Sequence, residues 1–335
     1  MADSYNRKLK IVYVLDILKR YSDEENPLNA NDIASHLAAL GIEAERKSIY
    51  DDIAVLEEYG CDIIKTSIPK KGWFIGDREF EVAEIYLLCD AVRSAKFITA
   101  KKTRELLSKL NSMLSVYQAK RRENAVYFAT ESKGNNEELY YNIDKISCAI
   151  ENRKQISLVY SSRKFKDERN LKLESKTMVV NPYALCWQDD HYYLICNYAK
   201  YDNLIHLRLD RISKVETLNT PARHFSEVSD YEEFFDAADY TNKLFAMHTG
   251  EISEIELYCK RDILEQVLDR FSEKIFIKSI DEEYFSFRVN AAVSEALATF
   301  IMNYGDSITV KKPDVLRQMI IDRAKEVLKN YTVGE

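Results

Sequence analysis

The sequence predicts an α+β protein of several domains, and three observations carry that prediction. The first eighty residues hold amphipathic helical stretches, then two short apolar runs flanking Pro69-Lys70-Lys71. The middle holds short alternating strands separated by turns, which points to a small antiparallel sheet. The last eighty residues read β-α-β-β-α-β, the ferredoxin-like order. At 335 residues the chain is long for one core.

The helical stretches come first. Ile11, Leu15 and Leu18 recur at i, i+4 and i+7, and Val14 and Ile17 widen the stripe, so residues 8–21 should be a helix. Pro27 ends the following loop, and Asn31 reads as the N-cap of a short helix burying Ile33, Ala34 and Leu37. Gly41 stops that helix. A third begins near Glu45, buries Ile49, Ile53 and Leu56, and ends at Gly60. Residues 63–65 and 72–75 then read as a hairpin.

Three short helices and a hairpin over residues 1–78 make a winged helix-turn-helix, whose third helix meets base edges through its first turns. Arg46, Lys47 and Tyr50 lie together beside the buried stripe, and Lys70 and Lys71 occupy the wing tip, where phosphates are met. The segment Glu45-Arg-Lys-Ser-Ile-Tyr-Asp-Asp-Ile-Ala-Val-Leu-Glu-Glu-Tyr-Gly60 resembles the recognition helix of DeoR-like and WYL-associated winged helices. It departs from them at Asp51, where related sequences often carry Arg.

Charge leaves a second reading open. The whole chain carries −7, and residues 1–80 hold eleven Lys and Arg against fifteen Asp and Glu. A DNA-binding domain is usually basic. Here the cations gather in the N-terminal arm, the third helix and the wing. The alternative is a protein-interaction or nucleic-acid-sensing adaptor whose helix-turn-helix does not read DNA.

A helix over residues 78–97, with Val82, Tyr86, Leu87 and Ala91 inward, and a second over 101–117 make residues 79–135 a helical linker, for dimerisation or as a spacer. Residues 132–136 are the most loop-like stretch and a plausible boundary. Leu139, Ile143, Ile146 and Ile150 mark one more amphipathic helix. Residues 155–160 alternate as a first strand, 163–174 form a polar hairpin tip, and 176–180 run into Pro182-Tyr183. A hydrophobic hairpin around residues 181–195 follows, then a strand over 206–212 that turns His206, Arg208 and Asp210 to one face, with Arg211 next.

Cations beside Tyr160, Tyr183, Tyr192 and Tyr193 suit an anionic ligand with a ring. The stretch resembles the WYL domain, a ligand-sensing module of bacterial transcription regulators, with Tyr192-Tyr193-Leu194 in place of Trp-Tyr-Leu. The resemblance implies a strongly bent, SH3- or Sm-like antiparallel sheet over residues 136–245. It also implies ligand contacts from His206, Arg208 and Arg211, a site lined by Tyr160, Tyr183 and Tyr193, and an anionic small molecule or oligonucleotide as ligand. Residues 250–332 resemble the C-terminal extension usual in such regulators. The expected assembly is a homodimer on a double-stranded DNA operator.

Several classes are excluded by expectation. No GxSxG, Walker-type loop, Rossmann fingerprint or HExxH occurs, so no enzyme is expected. Six scattered cysteines lack metal-ligand spacing, and neither metal nor cofactor is expected. No run of about eighteen apolar residues appears, and the first residues lack signal-peptide features, so a cytoplasmic protein is expected.

Overall fold

The computed structural model describes residues 2–123, 136–166, 170–271 and 275–332. It resolves into two compact units, residues 1–135 and 136–335. Apart from Asn136, the predicted boundary at 132–136 lies outside the described residues, as does the centre of the 163–174 tip.

In the first unit, α1 (Ala2–Tyr21), α2 (Ala30–Ala39) and α3 (Arg46–Glu58) precede a hairpin of β1 (Ile63–Thr66) and β2 (Gly72–Ile75). Val14, Ile17, Leu18, Ile33, Leu37 and Ile49 form one core with Trp73 and Ile75. The cap of α2 is Asn29 rather than the expected Asn31. Its side chain accepts from the Asn31 and Asp32 amides, and Asp32 accepts from the Asn29 amide, closing a capping box. Gly72 is demanded by close approach. A Cβ there would lie 2.6 Å from the Leu28 carbonyl oxygen, where Leu28 and Trp73 exchange backbone hydrogen bonds of 2.8 and 2.9 Å.

The linker holds α4 (Val82–Ser94), α5 (Ala100–Asn111) and α6 (Val116–Glu123). Helix α4 buries Ile85 and Cys89; of the expected stripe, Val82 and Tyr86 pack against them half-buried, whereas Ala91 is exposed and Leu87 is 72% exposed. The stretch predicted as one helix over 101–117 is broken because Ser115 and Gln118 form their own capping pair. The Ser115 amide donates to Gln118 Oε1 and the Gln118 amide to Ser115 Oγ, both at 3.0 Å.

The second unit begins with α7 (Leu139–Glu151), packed on a sheet of β3 (Lys154–Phe165), β4 (Leu171–Gln188), β5 (His191–Tyr198), β6 (Leu204–Arg208) and β7 (Ile212–Pro221). The order is β6-β5-β4-β3-β7, every pairing antiparallel. Strands β6 and β7 are opposite edges, yet only the 3₁₀ turn Leu209–Arg211 joins them. Four strand spacings would separate flat edges by roughly 19 Å. The link reaches about 14 Å, so the sheet must curl. A bulge between Pro182 and Ala184 helps bend β4. The strand predicted over 206–212 is thus two strands around a turn, and Asp210 sits in the turn.

After α8 (Ala237–Asn242), the chain continues as β8 (Glu251–Lys260), α9 (Leu264–Phe271), β9 (Ile277–Ser279), β10 (Tyr284–Val293), α10 (Glu295–Met302), β11 (Ile308–Lys312) and α11 (Asp314–Thr332). Its antiparallel sheet has the order β11-β8-β10-β9. Ile255, Leu257, Phe285 and Phe287 pack with Leu297, Ile301 and Leu316 as its core. Among the described residues, no helix is long and apolar enough to cross a membrane.

Candidate nucleic-acid interface and ligand pocket

In the first unit, α3 buries Ile49, Ile53 and Leu56, which leaves Arg46, Lys47 and Tyr50 exposed on its outer face. Arg46 and Tyr50, one turn apart, meet with Nη2 3.5 Å from the phenol oxygen and the guanidinium 5.9 Å from the ring centroid. Tyr50 stands edge-on to Trp73 at 4.9 Å. Lys65 pairs across the hairpin with Trp73, so it joins the same face. Together with Asn29, Asn31 and Lys71, these side chains line a cleft of about 220 Å³. The hydrogen bond from Arg46 lowers the Tyr50 pKa, and the Arg46, Lys71 and Lys65 charges add to that.

The two lysines between β1 and β2 differ. Lys71 lines the cleft, whereas Lys70 is held 3.2 Å from Asp32, the acid of the α2 capping box. Helix α3 is fixed from behind by Lys10 of α1, which is 7% exposed. Its ammonium lies 2.8 Å from Asp52 and donates to Ser48 Oγ. Burial raises the Asp52 pKa, while Lys10 opposes that rise. Asp51 is exposed beside this pair. Sequence reasoning missed Lys65, Asn29 and Lys10. The spacing Asn29-x-x-Asp32 was a usable signal for the cap, and Lys10 was hidden by its burial.

In the second unit, β5 and β6 set Tyr193 opposite Arg208 and Ile195 opposite His206. Arg208 forks onto Asp210, Nε to Oδ1 at 3.0 Å and Nη2 to Oδ2 at 2.8 Å. Burial alone would raise the Asp210 carboxyl, but the hydrogen bonds and charge of Arg208 outweigh it and hold the pKa below the ordinary value. Arg208 moves the opposite way: Asp210 more than offsets the effect of burial, with Tyr193 and Tyr160 close enough to add to the rise. Arg211 is exposed next to this pair.

His206 is built into the fold. Its Nδ1 lies 2.6 Å from the Met247 carbonyl, and its Nε2 lies 3.0 Å from the Tyr240 hydroxyl. The carbonyl can only accept, so Nδ1 carries the proton and Tyr240 donates to Nε2. Both ring nitrogens are therefore occupied, which leaves none to meet a ligand as expected. Burial lowers the His206 pKa. Tyr183 is likewise packed, against Phe225 at 6.3 Å and Phe235 at 6.1 Å, and burial raises its pKa. Its hydroxyl is buried with no hydrogen-bond partner among the described residues.

Tyr160 and Tyr193 are half-buried. Tyr192 is directly opposite Trp187 across the β4–β5 hairpin. By strand alternation both lie on the other face from Tyr193 and Arg208. The structure thus groups Arg208, Arg211 and Tyr193 with Tyr160 nearby, and places His206 and Tyr183 beneath the segment that carries Tyr240. Among the described residues, no three His, Cys, Asp or Glu side chains gather as a metal set.

Comparison with known proteins adds the following. No curated protein matches the chain. A solved structure, proteasome accessory factor B/C (PafBC) of Arthrobacter aurescens, aligns with 97% of this chain at 17% identity and a TM-score of 0.28. The chain spans about half of that protein's length, 49%. Family models match at residues 141–217, the WYL domain, and at 254–328, the WCX domain. Over these two stretches the chain is similar to the WYL and WCX domains.

Proposed function

We propose that the chain is a ligand-responsive transcription regulator. Its first unit acts as a winged helix-turn-helix that reads an operator through Arg46, Lys47 and Tyr50, with Lys71 and Lys70 on phosphates. The observation that carries this reading is the cleft where Arg46, Tyr50, Lys65 and Lys71 converge beside the exposed face of α3. A cationic cleft next to an exposed helix face suits a duplex, whose phosphates flank the groove the helix enters. It offsets locally the acidic balance of the segment.

The bent sheet senses an anion through Arg208 and Arg211, with Tyr193 and Tyr160 as ring surfaces. A nucleotide or short single strand fits that combination of fork and ring. Asp210 already takes the Nε–Nη2 edge of Arg208, so a ligand that binds that edge bidentately displaces Asp210 from it. In this reading the protein is a non-enzymatic, cytoplasmic bacterial regulator, and it is a homodimer because one winged helix reads too few base pairs for specificity in a genome. Light scattering at tens of micromolar should give twice the 39.0 kDa chain mass, and a monomer mass with and without DNA would contradict the dimer.

Selecting duplexes from a random pool with the purified protein tests the main reading. Enrichment of one sequence supports it. Recovery of an unenriched pool would contradict it and leave the adaptor reading, which the exposed Asp51 favours.

A further inference from the structure

Arg270 is out of keeping with its surroundings in the second unit. Its guanidinium is half-buried near the end of α9, and burial lowers its pKa. One N–H donates to the Leu244 carbonyl at 2.7 Å, and the planar group lies 4.0 Å from the centroid of the Phe245 ring. Among the described residues, no carboxylate lies at ion-pair distance from it; Asp189 acts on it only as a more distant charge. A partly desolvated cation without a counter-charge is costly to the fold.

Arg270 lines an open, solvent-facing cavity of about 540 Å³ between the β4–β5 turn, α10 and α11. That volume is in the range of small-molecule sites. Ala296 and Phe300 give the cavity an apolar wall, and Thr299 and Asn303 add a hydroxyl and an amide. Of the other charged groups on the lining, Arg323 is held by Glu295 at 2.8 Å, while His248 and Asp189 stand exposed. One further wall is strained. Ala246 and Met247 have φ of 46° and 58°, in a turn closed by the His248 amide on the Phe245 carbonyl at 2.9 Å. Neither is Gly or Asn, so the surroundings must hold the turn in place. Met247 is buried and its carbonyl accepts from His206, while Leu244, just before the turn, accepts from Arg270.

We propose that this cavity is a second ligand site, distinct from the Arg208–Arg211 group, that takes a small carboxylate. Arg270 holds the oxyanion through its unused N–H groups, and the ligand's carbon body lies on Ala296 and Phe300. Asp189 disfavours a multiply charged anion and favours a monoanion with an N–H donor next to the carboxylate. The Phe245–His248 turn links the site to His206, and so to β6, which ends at Arg208. This is a route by which occupancy would be felt at the sensor sheet.

The test is thermal unfolding of the full chain with increasing N-acetylglycine, against sodium chloride at matched ionic strength, with acetate and inorganic phosphate as further arms. A ligand that binds only the folded state raises the folded-to-unfolded ratio about tenfold at ten times its Kd. We expect a saturable rise in Tm with N-acetylglycine, a weaker one with acetate and the weakest with phosphate. The rise should vanish in Arg270→Gln, which retains a donor for Leu244, and in Ala296→Phe, which covers the apolar wall but keeps Arg270. Arg208→Gln should respond as the unsubstituted protein does. No saturable rise in the unsubstituted protein, an unchanged rise in both cavity variants, or loss of the rise only in Arg208→Gln would each overturn the proposal. A failure of operator binding would leave all these outcomes readable.

Discussion

At the scale of single residues, two groups make the account testable. Arg208 is paired bidentately with Asp210, so a ligand and Asp210 compete for one fork. Asp210→Asn removes the competing charge and should tighten binding of a short single-stranded oligonucleotide several-fold, whereas Arg208→Ala should abolish it. Equal titration curves for the two variants and the unsubstituted protein would remove Arg208 from the sensor. His206 makes a different prediction. Its folded pKa is lowered from 6.5, so below about pH 6.5 the unfolded chain binds a proton that the folded chain resists. Stability from this group is therefore complete above that pH and is lost as the pH falls through it. Urea unfolding at pH 7 and pH 5 should show a smaller loss in His206→Gln than in the unsubstituted protein, and equal losses would contradict the assignment. Sequence alternation brought His206, Arg208 and Asp210 to one face as equals. It could not show that Met247 and Tyr240, some forty residues on, occupy the His206 ring.

At the scale of elements, helix α3 is presented by a buried latch. Lys10 meets Ser48 and Asp52 from α1. Removing one partner strands the other, so Lys10→Met should cost about 3–5 kcal/mol, and adding Asp52→Leu should recover much of it. If chemical denaturation gives additive losses for the two substitutions, the latch carries no coupling. The helices and hairpin of this unit were legible because their apolar spacing is unambiguous, as at Ile49, Ile53 and Leu56. Helix α4 was less so, since Val-Ala-Glu-Ile-Tyr-Leu-Leu-Cys is apolar on two faces and periodicity cannot choose between Leu87 and Cys89. Capping chemistry, not hydrophobicity, decided the other departures. Asp32 placed the α2 cap at Asn29, and Ser115 with Gln118 divided the second linker helix.

At the scale of the molecule, the β-α-β-β-α-β run at the C-terminal end was readable in order, whereas the division of the second linker helix and helix α8 were not. Nor was long-range closure. The three-residue turn between the edges β6 and β7, which forces the sheet to curl, looked like the continuation of a strand because Ile205, Leu207 and Leu209 alternate with His206, Arg208 and Asp210. The proposed regulator rests on the cationic cleft of the first unit and the WYL and WCX similarities of the second. Its central claim is that the exposed turn of α3 reads DNA. Fluorescence anisotropy of the selected duplex, titrated over a range of salt, tests that claim most directly. A base contact from Arg46 or Lys47 is worth about 1–3 kcal/mol of discrimination. The account predicts that Arg46→Ala with Lys47→Ala loses roughly tenfold or more in specific affinity, while Lys71→Ala weakens binding to every sequence and flattens the salt slope. Equal affinity of the double variant and the unsubstituted protein for the selected duplex would contradict it.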